Sequence, residues 1–309
     1  MIIKRFWRRA MEFKQLQYIL TIYEEGGINK AAEKLYISQP SLSKCVINLE
    51  KQLGMKIFDR STTPIELTAF GRTYVEAAQQ ILNINKSVLQ RADDMKNGHT
   101  GVLRLGVTFF GASQRLPRIL PKFMKKYPGI EISLVEEKGK VLEEELLKGH
   151  LDLLILNGPV DEEKIKFVPI KKDHLYLVTP PGKFVLESTE KSFEEVYKKH
   201  DITNEDFIVL RQGQKLRRLT ENIFQDYHMN PKVKLEMRSI DGAIRLCAEG
   251  VAMTIVHESV KENMDNLIKA DFYKLPSKYN IVSGIAYRKN GYTCEAAKRF
   301  IELNSKLNL

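Results

Sequence analysis

In this 309-residue sequence the residues that suggest chemistry are suited to binding rather than to reaction. Thr108, Phe109 and Phe110 follow an alternating apolar run at 102–107 and stand directly before Gly111 and a helical stretch. A hydroxyl and two rings at a strand end suit a ligand with polar and apolar parts, although one of the rings is expected to be core. Backbone N–H groups at a helix start favour anions. Lys138, Lys140 and Lys215 can attract negative charge, or can equally be solvated surface lysines. Catalytic patterns are missing: no G-x-S-x-G elbow, P-loop or dinucleotide fingerprint occurs. The six histidines are scattered, and no Cys/His spacing resembles a metal site. Glu143–Glu145 reads as the solvated face of a helix. Cys45, Cys247 and Cys294 are odd in number and far apart, so no disulfide framework is expected, and Cys247 reads as a buried structural thiol. The expectation is no catalytic residue, no metal and no cofactor.

These groups need elements to hold them. Phe13, Leu16, Leu20 and Tyr23, with Ile19 beside them, form a helical apolar stripe over 13–25. Gly26 and Gly27 stop it, because glycine supplies the left-handed conformation that ends helices. A short helix with Ala31, Ala32 and Leu35 inward comes next, then a turn at Tyr36-Ile37. Ser38 is placed to cap a third helix, whose Leu42, Val46, Leu49 and Leu53 share one face. Extended pieces at 56–58 and 65–67 flank a turn-forming stretch and predict a wing. Thr68 then caps a long helix running to about Asn97. Its Phe70, Tyr74, Ala77, Ile81, Ile84, Val88 and Met95 repeat at four-three spacing, interrupted by Arg91. That repeat predicts a coiled-coil seam; the alternative is a lone helix packed on its own domain.

Past a linker at 97–101 the pattern changes. Strand-like runs at 102–107, 130–135, 151–156, 175–178, 207–210, 233–237 and 252–256 are interleaved with helical stretches. The helices fall at 116–127, 141–147, 216–227 and 240–248, with a last one at 296–307. Such alternation predicts an α/β fold with mainly parallel sheets. Hydrophobic residues at 43% and charged ones at 28% are ordinary for a folded protein. The net charge of +10 invites a nucleic-acid reading, but residues 11–97 hold eleven Lys/Arg against ten Asp/Glu. Four uncompensated basic residues lie in 1–10 instead, so charge alone is a weak guide. No apolar run is long enough for a bilayer or a signal-peptide core, which leads to the expectation of a cytoplasmic protein.

The stretch GINKAAEKLYISQPSLSKCVINLEKQLGMKIFDR at 27–60, with Leu67-Thr68, resembles the DNA-binding module of the LysR-type transcriptional regulators. The resemblance continues in LRLGVTFF, in LPRILPKFMKKYPGIEISLVEE and in LLKGHLDLLI, and runs from Met11 almost to the C-terminus. Met11 sits where members of that family usually begin, so residues 1–10 depart from the pattern. The resemblance implies a winged helix-turn-helix at 11–68, a dimerising linker helix at 69–97 and an effector-binding domain at 101–309. That last domain would be two α/β lobes like those of periplasmic solute-binding proteins. Lobe I is placed at 101–170 and 275–309 and lobe II at 171–274, the chain crossing near 169–172 and 275–279.

Carried over position by position, the family's DNA-reading residues fall on Gln39, Pro40, Ser43 and Lys44, with Arg60 in the wing. Glutamine pairs bidentately with adenine and proline can touch a thymine methyl. Lys44 stands where many relatives have arginine, so it either reads guanine as a point charge or rests on phosphate. In relatives, loops matching Thr108–Phe110, Glu137–Lys140 and Gln212–Lys215 line the effector cavity, so Thr108, Phe109, Phe110, Lys138, Gln212, Gln214 and Lys215 are candidates, with Ser239 a further one. The implied partners are an interrupted palindrome of double-stranded DNA, a small anionic effector, a second copy in a homodimer, a homotetramer, and RNA polymerase. Two other classes compete: a solute-binding protein and a doubly wound enzyme. The helix-turn-helix speaks against the first, and the missing nucleophile and cofactor motifs against the second.

Overall fold

A computed structural model of the protein describes residues 12–62, 64–96, 100–184, 186, 191–264 and 267–305, with the side chains of Asp93 and Lys96 excepted. The basic segment 1–10 and the linker residues 97–99 lie outside the described residues. The chain divides into two units, residues 1–92 and 93–309.

The first unit begins with α1 (Phe13–Glu25), α2 (Ile28–Lys34) and α3 (Gln39–Leu53). Left-handed glycines end α1 and α3, Gly26 at φ 66 and Gly54 at φ 71. Leu16, Ile19 and Ile22 of α1 meet Ala31 and Ala32 of α2 and Leu42, Val46 and Leu49 of α3 in one core. The alanines let the helices approach closely. The turn between α2 and α3 is tight: Tyr36 N–H donates to Glu33 O at 3.1 Å and Ile37 N–H to Ala32 O at 3.0 Å. This geometry holds Tyr36 at φ 54, a left-handed conformation that costs a non-glycine residue on the order of 1 kcal/mol. Ser38 occupies the cap position of α3, but its hydroxyl donates to Ser41 Oγ at 2.8 Å and does not cap a backbone N–H. A neighbouring hydroxyl has outcompeted the backbone for it.

The wing is a two-residue hairpin, β1 (Phe58–Asp59) paired antiparallel with β2 (Glu66–Leu67). Thr68 Oγ1 accepts from Gly71 N–H at 2.9 Å and so caps α4 (Ala69–Lys96). This helix does not present one uniform seam. Tyr74, Val75 and Ala78 are buried in the core of the first unit, and Phe70 and Ile81 pack against it. Further on, Ile84, Val88, Leu89 and Met95 are exposed in the single chain. The first half of the repeat therefore packs on its own domain, and the second half leaves its apolar side chains exposed.

In the second unit, one sheet runs in the order β4-β3-β5-β12-β6, from β3 (Gly101–Val107), β4 (Ile130–Glu136), β5 (Leu153–Asn157), β6 (Ile165–Asp173) and β12 (Ile281–Arg288). Helices α5 (Phe109–Gln114), α6 (Leu116–Lys126) and α12 (Glu295–Ser305) lie with one face, and α7 (Gly139–Leu147) with the other. On β5, Leu153 and Ile155 join the first layer and Leu154 and Leu156 the second, which is why this strand is apolar throughout. Asp94, near the end of α4, accepts from Tyr292 Oη at 2.7 Å and from the N–H of Glu295 at 3.1 Å.

The second sheet holds β7 (Leu175–Thr179) between β10 (Thr254–His257) and β11 (Asp271–Lys274), all antiparallel. A parallel pair, β8 (Asp206–Leu210) and β9 (Lys232–Met237), joins β10 through the Phe207–Met253 bridge. Helices α8 (Phe193–Lys199), α9 (Lys215–Asp226), α10 (Ile240–Ala248) and α11 (Glu258–Met264) complete this lobe.

Two expectations need correction. The sheets are mixed, not mainly parallel, because β12 runs antiparallel to both β5 and β6, as β10 and β11 do to β7. The lobe boundaries also shift. β6 pairs with β12 as far as Asp173, three residues past the expected end at 170, and β7 begins at Leu175. On the return, Leu275, Tyr279 and Ile281 belong to the core of the second lobe, which places the crossing near Asn280, beside the expected 275–279. No helix of the described residues is long and apolar enough to cross a membrane.

Candidate functional site

On the first unit, the start of α3 offers Gln39, Pro40 and Lys44 exposed and Ser43 half-buried. Leu42 and Val46 on the opposite face are buried and fix the helix's rotation. Arg60 is engaged: its Nη2 lies 3.3 Å from Glu50 Oε2. Glu50 Oε1 in turn accepts the N–H groups of Ile57 at 2.8 Å and Phe58 at 3.2 Å. Glu50 thus fastens the wing to α3, and Arg60 is held as part of that joint.

On the second unit, a cavity of about 810 Å³ opens between the two sheets' loops. All eight residues expected at an effector site line it: Thr108, Phe109, Phe110, Lys138, Gln212, Gln214, Lys215 and Ser239. They come from separate strand-to-helix turns. Thr108, Lys138, Gln214 and Ser239 occupy the cap positions of α5, α7, α9 and α10, so four helices start on its wall.

Several of these side chains also build the wall. Thr108 Oγ1 accepts from Gly111 N–H at 3.3 Å and Ser239 Oγ from Gly242 N–H at 3.1 Å. Each hydroxyl keeps its proton to donate. Gln214 accepts from Arg211 N–H and donates to Arg238 O, bracing its own loop. Gln212 donates to Glu221, which Arg217 holds as well. Lys215 Nζ donates to Asn157 O at 2.9 Å, from the second lobe to a strand end of the first. Half-burial lowers the Lys215 ammonium to about 8, with Arg218 adding to the shift and Glu143 opposing it. Burial raises the Glu143 carboxyl, which Lys215 counteracts.

Of the two phenylalanines, Phe110 is the packed one. Its ring centroid lies 4.1 Å from that of His257, and it packs against the second lobe's core, whereas Phe109 is exposed to the cavity. Behind them the lobes are joined by polar side chains. Arg115 pairs with Asp173, the last residue of β6, and both are buried. Ser259 donates to the same carboxylate at 2.8 Å. Burial lowers the Arg115 guanidinium and raises the Asp173 carboxyl, in each case with the partner opposing the shift. Arg118 donates to Asn263 at 2.8 Å, and Lys171 to Glu262 at 3.0 Å.

The wall also carries residues absent from the sequence expectation, among them Glu143, Asn157, Arg218, Arg238, Asp241 and His257. Asn157 and His257 end β5 and β10, so the rule that ligands meet strand ends could have found them. Arg238 precedes the cap of α10 and had no such signal. No group of His, Cys, Asp and Glu placed to hold a metal occurs among the described residues.

Residues 13–72 match the bacterial regulatory helix-turn-helix protein, lysR family, and residues 96–306 match the LysR substrate binding domain. An uncharacterized HTH-type transcriptional regulator of Bacillus subtilis, YcgK, is 28% identical, with 95% of this chain and 94% of that one covered. A probable RuBisCO transcriptional regulator of Emiliania huxleyi is 31% identical over 79% of this chain and 78% of its own. The structure of full-length CbnR in complex with its target DNA superposes with a TM-score of 0.60 at 23% identity, covering 97% of this chain and all of that one.

His257 yields a test of the cavity's back wall. Burial and, secondarily, Arg115 push its imidazole from 6.5 down to about 3. The folded ring stays neutral while the unfolded chain takes a proton below about pH 6.5. Its share of stability is therefore complete above pH 6.5 and is lost progressively as pH falls toward 3. At pH 5 the loss should be about 2 kcal/mol. Melting midpoints of wild type and His257→Leu, compared from pH 7.5 to 5, should show the smaller acid sensitivity in the variant. Equal slopes would mean that the folded ring accepts its proton.

Proposed function

Because the chain belongs to the LysR family of bacterial helix-turn-helix regulators, we propose that α3 reads DNA in the major groove while the cavity between the lobes receives an anionic effector. The protein is a DNA-binding transcriptional regulator with an effector-binding domain, and the family is not one of enzymes. The observation that carries the sensor reading is the convergence on one cavity of Thr108, Lys138, Gln214 and Ser239, each at a helix start. N-terminal amides of α7, α9 and α10 favour negative charge. Lys138, Lys140, Arg218 and Arg238 on the wall add to it and the carboxylates of Glu137, Glu143 and Asp241 oppose it, while Phe109, Leu156, Pro159 and Val160 offer an apolar surface. A carboxylate on a compact apolar body matches both.

On the DNA side, Gln39 and Lys44 carry sequence preference, Pro40 and Ser43 complete the surface, and Arg60 adds general affinity through the wing. The exposed Ile84, Val88 and Leu89 of α4 are covered by a second copy, giving a homodimer suited to a palindromic site, with a tetramer through the effector domains. Each is about three-fifths exposed, so covering it contributes about 1–2 kcal/mol in each copy. Binding of the effector shifts the protein between two quaternary states. A hundredfold difference in affinity for the two supplies about 2.7 kcal/mol, and contact with RNA polymerase is the downstream reader.

Three outcomes follow from this reading. Gln39→Ala should cost about 1–3 kcal/mol on DNA from the protein's own upstream region and little on random duplex, measured by gel shift; equal losses on both would reduce Gln39 to a backbone contact. Val88→Asp should leave the winged domain folded and convert dimer to monomer in sedimentation equilibrium, since a buried charge costs several kcal/mol. A dimeric variant would remove α4 as the interface. In a thermal-shift screen, small carboxylates at about a hundred times Kd should raise the midpoint by several degrees, and Lys138→Glu with Arg238→Glu should abolish that shift while sparing DNA binding. Shifts produced only by neutral or cationic compounds would end the anion reading.

A further inference from the structure

Tyr36 stands apart from every group used so far. It lies in the turn between α2 and α3, 95% exposed, the most exposed of the large apolar side chains among the described residues. Its backbone is left-handed at φ 54, a conformation that glycine or asparagine adopts more readily. The neighbours on both sides, Leu35 and Ile37, pack against the core and force the tyrosine outward. Its hydroxyl meets no hydrogen-bond partner among the described residues. The left-handed backbone serves the fold by closing α2 through the Ile37 N–H to Ala32 O bond, but the fold does not need a large aromatic ring there. Such strain is retained where the displayed side chain has a task.

The position indicates the task. Tyr36 is three residues before Gln39, at the end of α3 that enters the groove in a helix-turn-helix. In such docking the first helix of the pair crosses the sugar-phosphate backbone and the turn joins it to the reading helix. We propose that Tyr36 is a DNA-contacting residue: its ring covers a sugar and its hydroxyl donates to a phosphate oxygen, setting the depth and register of α3. Tyrosine is among the side chains that bond phosphates in this way, and such contacts position the protein without reading sequence. The tight bonds of Tyr36 N–H to Glu33 O and Ile37 N–H to Ala32 O make the turn rigid, so the contact is set before DNA arrives.

The inference rests on α3 being the reading helix, and the test separates the two. The full-length chain is titrated by fluorescence anisotropy onto a labelled duplex from its own upstream region and onto a random duplex of equal length. Wild type, Tyr36→Phe, Tyr36→Asn and Gln39→Ala are compared at several salt concentrations. Tyr36→Phe removes only the hydroxyl; Tyr36→Asn removes the ring but suits the left-handed backbone, so its melting midpoint should not fall. Both should bind about five- to tenfold more weakly, to the same extent on the two duplexes. The salt slope should stay that of wild type, because a neutral hydroxyl releases no counterion. Affinities of both variants within twofold of wild type overturn the proposal. A loss confined to the upstream duplex also overturns it, since that would make Tyr36 a base reader. If Gln39→Ala leaves binding to the upstream duplex intact, the reading of α3 itself has failed.

Discussion

A buried guanidinium and a buried carboxylate meet where the chain passes from β6 to β7. Arg115 reaches Asp173 from the junction of α5 and α6, and Ser259 adds a hydrogen bond from the other lobe. Removing charges from water is expensive, and breaking such a pair by deleting one partner costs about 3–5 kcal/mol. The pair therefore contributes less to stability than to geometry. It ties the start of α6 to the crossing strand, and α5 with its cap Thr108 stands immediately before it. The crossing, the cavity's back wall and the helix starts that frame the cavity are all referenced to this one contact.

How much of this could be read from residues alone depended on the range of the forces involved. The helix-turn-helix was legible because its signals are local: glycine stops at 26 and 54, and apolar spacing from Leu42 to Leu53. α10 has the bounds its pattern predicts, Ile240–Ala248, because its cap and apolar face lie within a few residues of each other. β6 and β12 were not seen. Their pairing joins residues more than a hundred positions apart, and β6 reads Ile-Lys-Phe-Val-Pro-Ile-Lys-Lys-Asp, an edge strand with one solvated side and no continuous apolar run. The antiparallel course of β12 is invisible for the same reason. The boundary at 170 was misplaced since nothing in Lys171 or Lys172 announces that the ladder goes on.

The cavity residues were legible as places more than as roles. Strand ends and helix starts located Thr108, Lys138, Gln214 and Ser239, and all of them line one space. What the pattern could not convey is that the same hydroxyls hold the helices in position. Thr108 and Ser239 each give one lone pair to a backbone N–H and keep a proton and a second lone pair. His257 was passed over as one of several scattered histidines; its burial beside Phe110 is a property of packing between lobes.

The division of α4 has a consequence for the helix itself. Its first turns, through Tyr74 and Ala78, belong to the core of the winged domain and form with it. The end is anchored by Asp94 to Tyr292 and Glu295. Between them Ile84, Val88 and Leu89 are exposed among the described residues, and a helix of that length is marginal in water without tertiary support. In the single chain the midsection is thus held by its backbone hydrogen bonds more than by packing, and it is the stretch of α4 where a helix-breaking substitution would meet least opposition.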